Sequence, residues 1–189
     1  MKKYQWTIVP SSLPAIIKNC PKCGGRSRYE CSKNFRVNAN KNHIDVWLIY
    51  QCQKCKTIRN MEILSRKDAK TIDKELYRKF LHNDPELAER YAFHMPVHNK
   101  NRFFMDYNSL TLEIHGDNFS LLDLEEAVEI EILCNYPLRI RLDKLLSHKL
   151  QVSREVIKKL ADQHKICIKG GHDPGKELPS NGIILNILP

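Results

Sequence analysis

The sequence predicts an α+β fold in three parts: a four-cysteine β ribbon over residues 1–65, an acidic stretch of helices with a small β element over 66–138, and a helix–helix–β-hairpin module over 139–189. Three observations predict it. Two Cys-x-x-Cys pairs lie among short β-branched and aromatic stretches near the N-terminus. Helical and period-two patterns follow one another through the middle. Two amphipathic helical patterns and then two apolar alternating stretches close the chain.

The first part is read from its cysteines. Cys20-Pro21-Lys22-Cys23-Gly24 and Cys52-Gln53-Lys54-Cys55-Lys56 hold one pair each, with 28 residues between the pairs. Two thiolates two residues apart turn onto one metal ion across a tight turn, and two such turns complete the closed tetrahedral sulfur shell of structural zinc. The expected ligands are therefore Cys20, Cys23, Cys52 and Cys55, with iron–sulfur binding or redox-active thiols as the alternatives. Gly24 suits the left-handed backbone such a turn needs, and Lys22, Lys54 and Lys56 offset the excess negative charge of four thiolates. Residues 44–50, Ile-Asp-Val-Trp-Leu-Ile-Tyr, read as a strand delivering the second turn. Residues 26–30 and 35–37 read as its partner strands, 38–42 as turn-rich, and 4–9 as a further strand. Seven cysteines with no secretory signal argue against a disulfide framework. Cys31 sits at the wrong spacing for a ligand.

In the middle, Asp73 and Asp84 stand where helix N-caps belong, and Pro85 takes the first helical position. Pro96 reads as the end of the second helix. Residues 110–115 and 128–133 alternate as half-buried strands do, and 121–127 read as a helical turn. Pro96 also separates His94 from His98, so that pair is not read as a metal site. Glu125, Glu126, Glu129 and Glu131 read as a solvated face, and Cys134 has no histidine placed beside it by sequence. There is no phosphate loop, Gly-rich dinucleotide turn or nucleophile-elbow serine, so no enzyme activity is expected.

Charge follows the same three parts. The net charge of +9 divides into +10 over residues 1–60 (12 Lys and Arg against 2 Asp and Glu), −6 over 61–138 (9 against 15) and +5 over 139–189 (10 against 5). Basic surfaces attract polyanions, and nucleic acid is the expected one. A mean hydropathy of −0.48 and the absence of any apolar run near the roughly 18 residues of a spanning helix exclude an integral helical membrane protein. A cytoplasmic location is the expectation.

The last part carries the second informative pattern. Leu142, Leu145, Leu146 and Leu150 share one side of a helix, and Ser153 caps a second helix in which Val156, Ile157 and Leu160 are expected to face the core. Residues 165–169 and 182–188 read as strands joined through Gly170-Gly171. With Arg141-Leu142-Asp143 in the first helix and Ser153-Arg154 opening the second, this order resembles the alpha-L RNA-binding motif, named for ribosomal small-subunit protein S-four. The resemblance covers about the last fifty residues. It implies RNA contacts by Arg141, Lys144, Ser153, Arg154, Lys158 and Lys159.

The whole chain also resembles a bacterial family of uncharacterised proteins described as a domain of unknown function. The shared segments are residues 6–14, the Cys20 to Gly24 turn, residues 35–40 and residues 45–50. The expected function is that of a non-enzymatic, zinc-containing RNA-binding protein. A protein-docking adaptor using the ribbon and the acidic middle, and an enzyme with its site in the middle part, stand as the other classes.

Overall fold

A computed structural model describes residues 1–171 and 173–189. In chain order the strands are β1 (Lys2–Pro10), β2 (Ala15–Cys20), β3 (Gly25–Asn40), β4 (His43–Cys52), β5 (Ile58–Asp68), β6 (Phe104–Asp106), β7 (Leu112–His115), β8 (Val128–Leu133), β9 (Ile166–Ile168) and β10 (Ile183–Ile187). The α-helices are α1 (Lys74–Leu81), α2 (Pro85–Ala92), α3 (Met95–Lys100), α4 (Leu142–Lys149) and α5 (Arg154–Asp162). The fold is mixed α+β with two five-stranded sheets, ordered β7-β1-β8-β10-β9 and β5-β4-β3-β2-β6. Each sheet belongs to its own compact unit: Met1–Ser11 with Thr111–Pro189, and Ser12–Leu110. The second unit is thus an insertion in the sequence of the first.

The inserted unit is an antiparallel sheet with helices against one face. Along β4, every second residue from Ile44 to Cys52 is buried, the period-two signature of a half-covered sheet. Tyr29, Phe35, Val46, Leu48, Tyr50 and Met61 form a core with Phe80 of α1 and with Leu87, Ala88 and Ala92 of α2. The helices begin as their caps dictate. Asp73 accepts from Leu76 N and Asp84 from Leu87 N, each at 2.8 Å. Pro96 does not simply stop α2, as the sequence suggests. It sits in the first turn of α3, where a missing N–H costs nothing.

Two asparagines at helix ends tie α-helices to strands. Asn83, in the left-handed region at φ 52°, accepts from Phe35 N at 2.6 Å, at the irregularity that splits β3 between Cys31 and Phe35. Asn101 both accepts from Glu62 N (2.8 Å) and donates to Glu62 O (2.9 Å). That side chain pairs with the edge strand β5 as a neighbouring strand would, one way of protecting an edge.

The outer unit pairs β1 in parallel with β8 and antiparallel with β7. This pairing explains the acidic run. Lys3 faces Glu129 at 3.2 Å, Gln5 donates to Glu131 at 2.9 Å, and the N-terminal ammonium meets Glu126. Trp6, Ile8, Ile130, Ile132 and Leu185 of the sheet are buried, as are Leu142, Leu145, Leu146 and Leu150 of the α4 pattern. Val156 departs from expectation and is 40% exposed; on α5 it is Ile157, one residue on, that is fully buried. Residues 121–127 hold a turn at 122–123 within irregular backbone and no helix.

These units do not follow the divisions at 65/66 and 138/139. Backbone pairing sends β1 to the outer unit, β6 to the inserted sheet through β2, and β7 and β8 to the outer sheet. Charge redistributes accordingly. The inserted unit holds 19 Lys and Arg against 10 Asp and Glu, whereas the outer unit holds 12 of each. The whole net +9 therefore belongs to the inserted unit. No helix among the described residues is long and apolar enough to cross a membrane.

Gly116 fixes the close approach of the β7 end to β1. Its φ is +122°, and a Cβ there would stand 2.3 Å from Gln5 O and 2.7 Å from the Trp6 ring. Gly116→Ala should cost about 3 kcal/mol or more, from overpacking against backbone together with the positive φ. Gly24→Ala, at φ +74° in open space, should cost only about 1 kcal/mol. Urea unfolding of the two variants checks the order.

Candidate metal centre

Cys20 ends β2, Cys23 lies in the turn to β3, Cys52 ends β4, and Cys55 lies in the turn to β5. The β3–β4 register sets Tyr29 opposite Cys52, and the β2–β3 register sets Gly25 opposite Cys20, so the two turns project from the same end of the sheet. The turns repeat one geometry. Gly24 N donates to Cys20 O at 3.0 Å, and Lys56 N donates to Cys52 O at 2.9 Å. Both donors have left-handed backbone, φ +74° at Gly24 and +60° at Lys56.

The four sulfurs lie within 4.8 Å of one another. Cys20 Sγ is 3.4 Å from Cys55 Sγ, and Cys23 Sγ is 3.9 Å from Cys52 Sγ. A disulfide needs about 2.05 Å, so these are four free thiols. Tetrahedral bonds of about 2.3 Å to one ion would set sulfurs about 3.8 Å apart, and the observed pairs straddle that value. The donor set therefore fits a metal ion with all four positions taken by protein. Among the described residues, this is the cluster of three or more His, Cys, Asp or Glu ligand atoms that converges in this way.

Electrostatics divide the thiols. The Tyr29 hydroxyl, buried with no full hydrogen bond of its own, is the main influence pulling the Cys20 thiol down to about 5. Thr57, whose Oγ1 is 3.1 Å from the Cys55 sulfur, lowers Cys55. Cys23 is pushed up to about 12, first by its sulfur neighbour Cys55 and then by desolvation. A cluster that favours the thiolate at Cys20 and Cys55 but resists it at Cys23 is one that a cation would help to ionise fully. Tyr29 and Thr57 are thus supporting residues. Thr57 follows Cys55 by two positions, a spacing that could have flagged it. Tyr29 comes to the site through strand register alone.

Among the described residues, the remaining thiols and His94 and His98 do not join this cluster. Burial pushes the Cys31 thiol up to about 11. Cys134 is buried and donates to Tyr136 O, and Cys167 donates to His164 O. His94 caps α3 through Nδ1 on Val97 N at 3.3 Å. His98 is fully buried, packs edge-on to Tyr50 and Phe103, and donates from Nε2 to Ala92 O at 2.8 Å. They do not form a pair of metal ligands.

The residues named for RNA contact lie on α4, α5 and the positions just before them. Lys144, Lys158 and Lys159 are exposed. Ser153 caps α5 on Val156 N at 3.2 Å. Arg154 donates to the buried Asp143 at 2.7 and 3.2 Å, and Arg141 approaches the other carboxylate oxygen at 3.6 Å. Arg154 thus ties α5 to α4, while Arg141 meets Asp143 within the N-terminal end of α4; both arginines line a 410 Å³ cleft beside Lys158. The helix pair and the last two strands occur, but not as a separate module. β10 pairs with β8 as well as with β9, inside the larger sheet.

The family described as "Protein of unknown function (DUF1062)" matches residues 37–171. No curated protein and no solved structure matches the chain.

Two measurements check the electrostatics. Metal-free protein should show one thiolate forming near pH 5, and Tyr29→Phe should move it upward. Because folding lowers the Cys20 pKa, the folded state binds fewer protons there than the unfolded chain between about pH 5 and 9. Its contribution to metal-free stability is full above that window and lost as pH falls through about 5. His98 is held down to about 4, chiefly by desolvation. Its protonation should remove about 3 kcal/mol from the inserted unit as pH falls from about 6.5 to 4, and NMR should find its ring neutral at about pH 5.

Proposed function

The chain belongs to the DUF1062 family of proteins of unknown function, and from its own residues we propose that it binds nucleic acid, structured RNA above all, with its four cysteines around a structural zinc ion. The observation that carries the reading is the partition of charge: the inserted unit concentrates all of the net +9. Long-range attraction draws a polyanion to that unit. On the outer unit, taken by itself, the exposed Lys144, Lys158 and Lys159 of α4 and α5 offer phosphate contacts. Arg154 holds α5 to α4 through Asp143, which Arg141 also approaches from the N-cap of α4; both arginines offer their remaining N–H groups, and Ser153 opens α5 beside them. The role is binding rather than catalysis.

Zinc is favoured by the donor set. Four thiolates and no open position suit a closed structural zinc shell, and they leave no place for a metal-bound water. Lys22, Lys54 and Lys56, all exposed around the two turns, offset the excess charge of that shell. The metal then substitutes for the hydrophobic core that the tips of the two turns lack.

Purified protein should contain about one zinc per chain, and its removal should lower the melting temperature of the inserted unit before that of the outer unit. With about five phosphates neutralised, affinity for duplex RNA should fall by roughly five-hundredfold between about 50 and 200 mM salt. Replacing Lys144, Lys158 and Lys159 together by Ala should weaken that binding at least about tenfold without changing far-UV circular dichroism. Unchanged affinity, or salt-insensitive capture of a protein instead, would favour the docking role.

A further inference from the structure

We propose that the face of the inserted sheet turned away from α1 and α2 is a second nucleic-acid surface, a platform for single-stranded chains, with Trp47 as the base-stacking residue and Arg36, Arg28 and Arg26 as phosphate contacts. This inference rests on the nucleic-acid reading but uses a surface and a ligand form separate from the α4–α5 pair.

Strand register assembles the platform. Arg36 on β3, Trp47 on β4 and Glu62 on β5 stand side by side, and Arg28 stands beside Ile17 of β2. Residues of β4 alternate strictly. Val46, Leu48 and Tyr50 are buried under the helices, while Trp47, Ile49 and Gln51 point the other way and are half-exposed. The irregularity in β3 opposes four steps, Cys31 to Phe35, to two steps of β4, Tyr50 to Leu48. The shift is even, so Arg28 and Arg36 stay on one face despite it. The Arg36 guanidinium lies 5.8 Å from the Trp47 ring centroid, at the outer limit of a cation–π contact. An indole with an arginine at that distance accepts a base against its face while the guanidinium turns to a phosphate.

The charges of this face leave a basic surplus. Glu62 is engaged by Lys100 at 2.8 Å, and Asp45 accepts from Arg66 N at 2.6 Å. Among the described residues of the face, Glu30 is the carboxylate left without such a bond, against three arginines in a unit of net +9. Three arginines against one such carboxylate give the face a charge that complements a polyanion. A chain of phosphates with free base faces matches both the arginines and the indole. The occupant is single-stranded because a base already stacked in a duplex has no face to give.

Fluorescence tests the platform directly, since the chain has two tryptophans and the other, Trp6, is buried at 2% exposure in the outer unit. The metal-loaded whole chain is titrated with a mixed-sequence single-stranded RNA oligonucleotide and with the same sequence as a duplex. The expected result is saturable quenching by the single strand that Trp6→Phe leaves intact. Trp47→Ala should weaken single-strand binding about tenfold to a hundredfold with duplex affinity unchanged. Trp47→Phe should restore most of the loss, and Arg36→Gln should weaken binding and lower its salt dependence. Metal content and melting of each variant confirm that the sheet is intact. Single-strand binding with wild-type affinity in Trp47→Ala, or saturation without quenching, overturns the platform. Loss of single-strand binding on replacing Lys144, Lys158 and Lys159 instead overturns it while leaving the α4–α5 reading standing. Failure of both RNA forms to bind overturns both readings.

Discussion

The convergence of four cysteine sulfurs at one end of the inserted sheet is the constraint on which the arrangement of that unit depends. Cys20 and Cys52 end strands β2 and β4, with β3 between them, so the cluster exists only if both registers are kept. A slip of one residue would turn every side chain of a strand to the other face. It would send Cys52 away from Tyr29 and the core residues away from α1 and α2. The same register that gathers the sulfurs therefore also closes the core. Thiols at these distances do not all ionise unaided, as the opposite directions of Cys20 and Cys23 show. A cation held by the four sulfurs would complete what the strands begin.

Topology gives the charge its meaning. The acidic run after residue 124 is not a solvated face detached from the rest. It answers the basic N-terminus across the parallel β1–β8 ladder, where Lys3 meets Glu129. The lysines and arginines of the last fifty residues are balanced by those same acids within the outer unit. What remains is an inserted unit whose basic side chains outnumber its acids by nine. The net positive charge resides there, while the ion pair between Arg154 and Asp143 ties together the helix pair of the outer unit. Charge and helix pairing thus reside in different parts of the chain.

Local signals were the legible ones. The Cys-x-x-Cys pairs, the Asp73 and Asp84 caps, the leucines of α4 and the period-two residues of β8 each act over a few positions, and each occupies its expected place. Features decided by distant pairing were not legible. Nothing near Lys2 says that β1 will run beside β8, some 125 residues away, and that pairing is what displaces the three-part division. Pro96 was ambiguous for a physical reason: the same missing N–H that stops one helix is harmless in the first turn of another. Val156 was misplaced because an apolar residue at a helical spacing carries no mark of which side is covered. At the cysteine cluster the four residues that converge were legible, yet Tyr29, which lowers the Cys20 thiol, arrives only through register.

The account stands or falls on one ion held by four thiolates. X-ray absorption at the metal edge of the purified protein tests this most directly. The prediction is a zinc edge with four sulfur neighbours at about 2.3 Å and no nitrogen or oxygen ligand. Two or three sulfurs with lighter atoms completing the shell would contradict it, as would a metal bound elsewhere once Cys20, Cys23, Cys52 and Cys55 are accounted for.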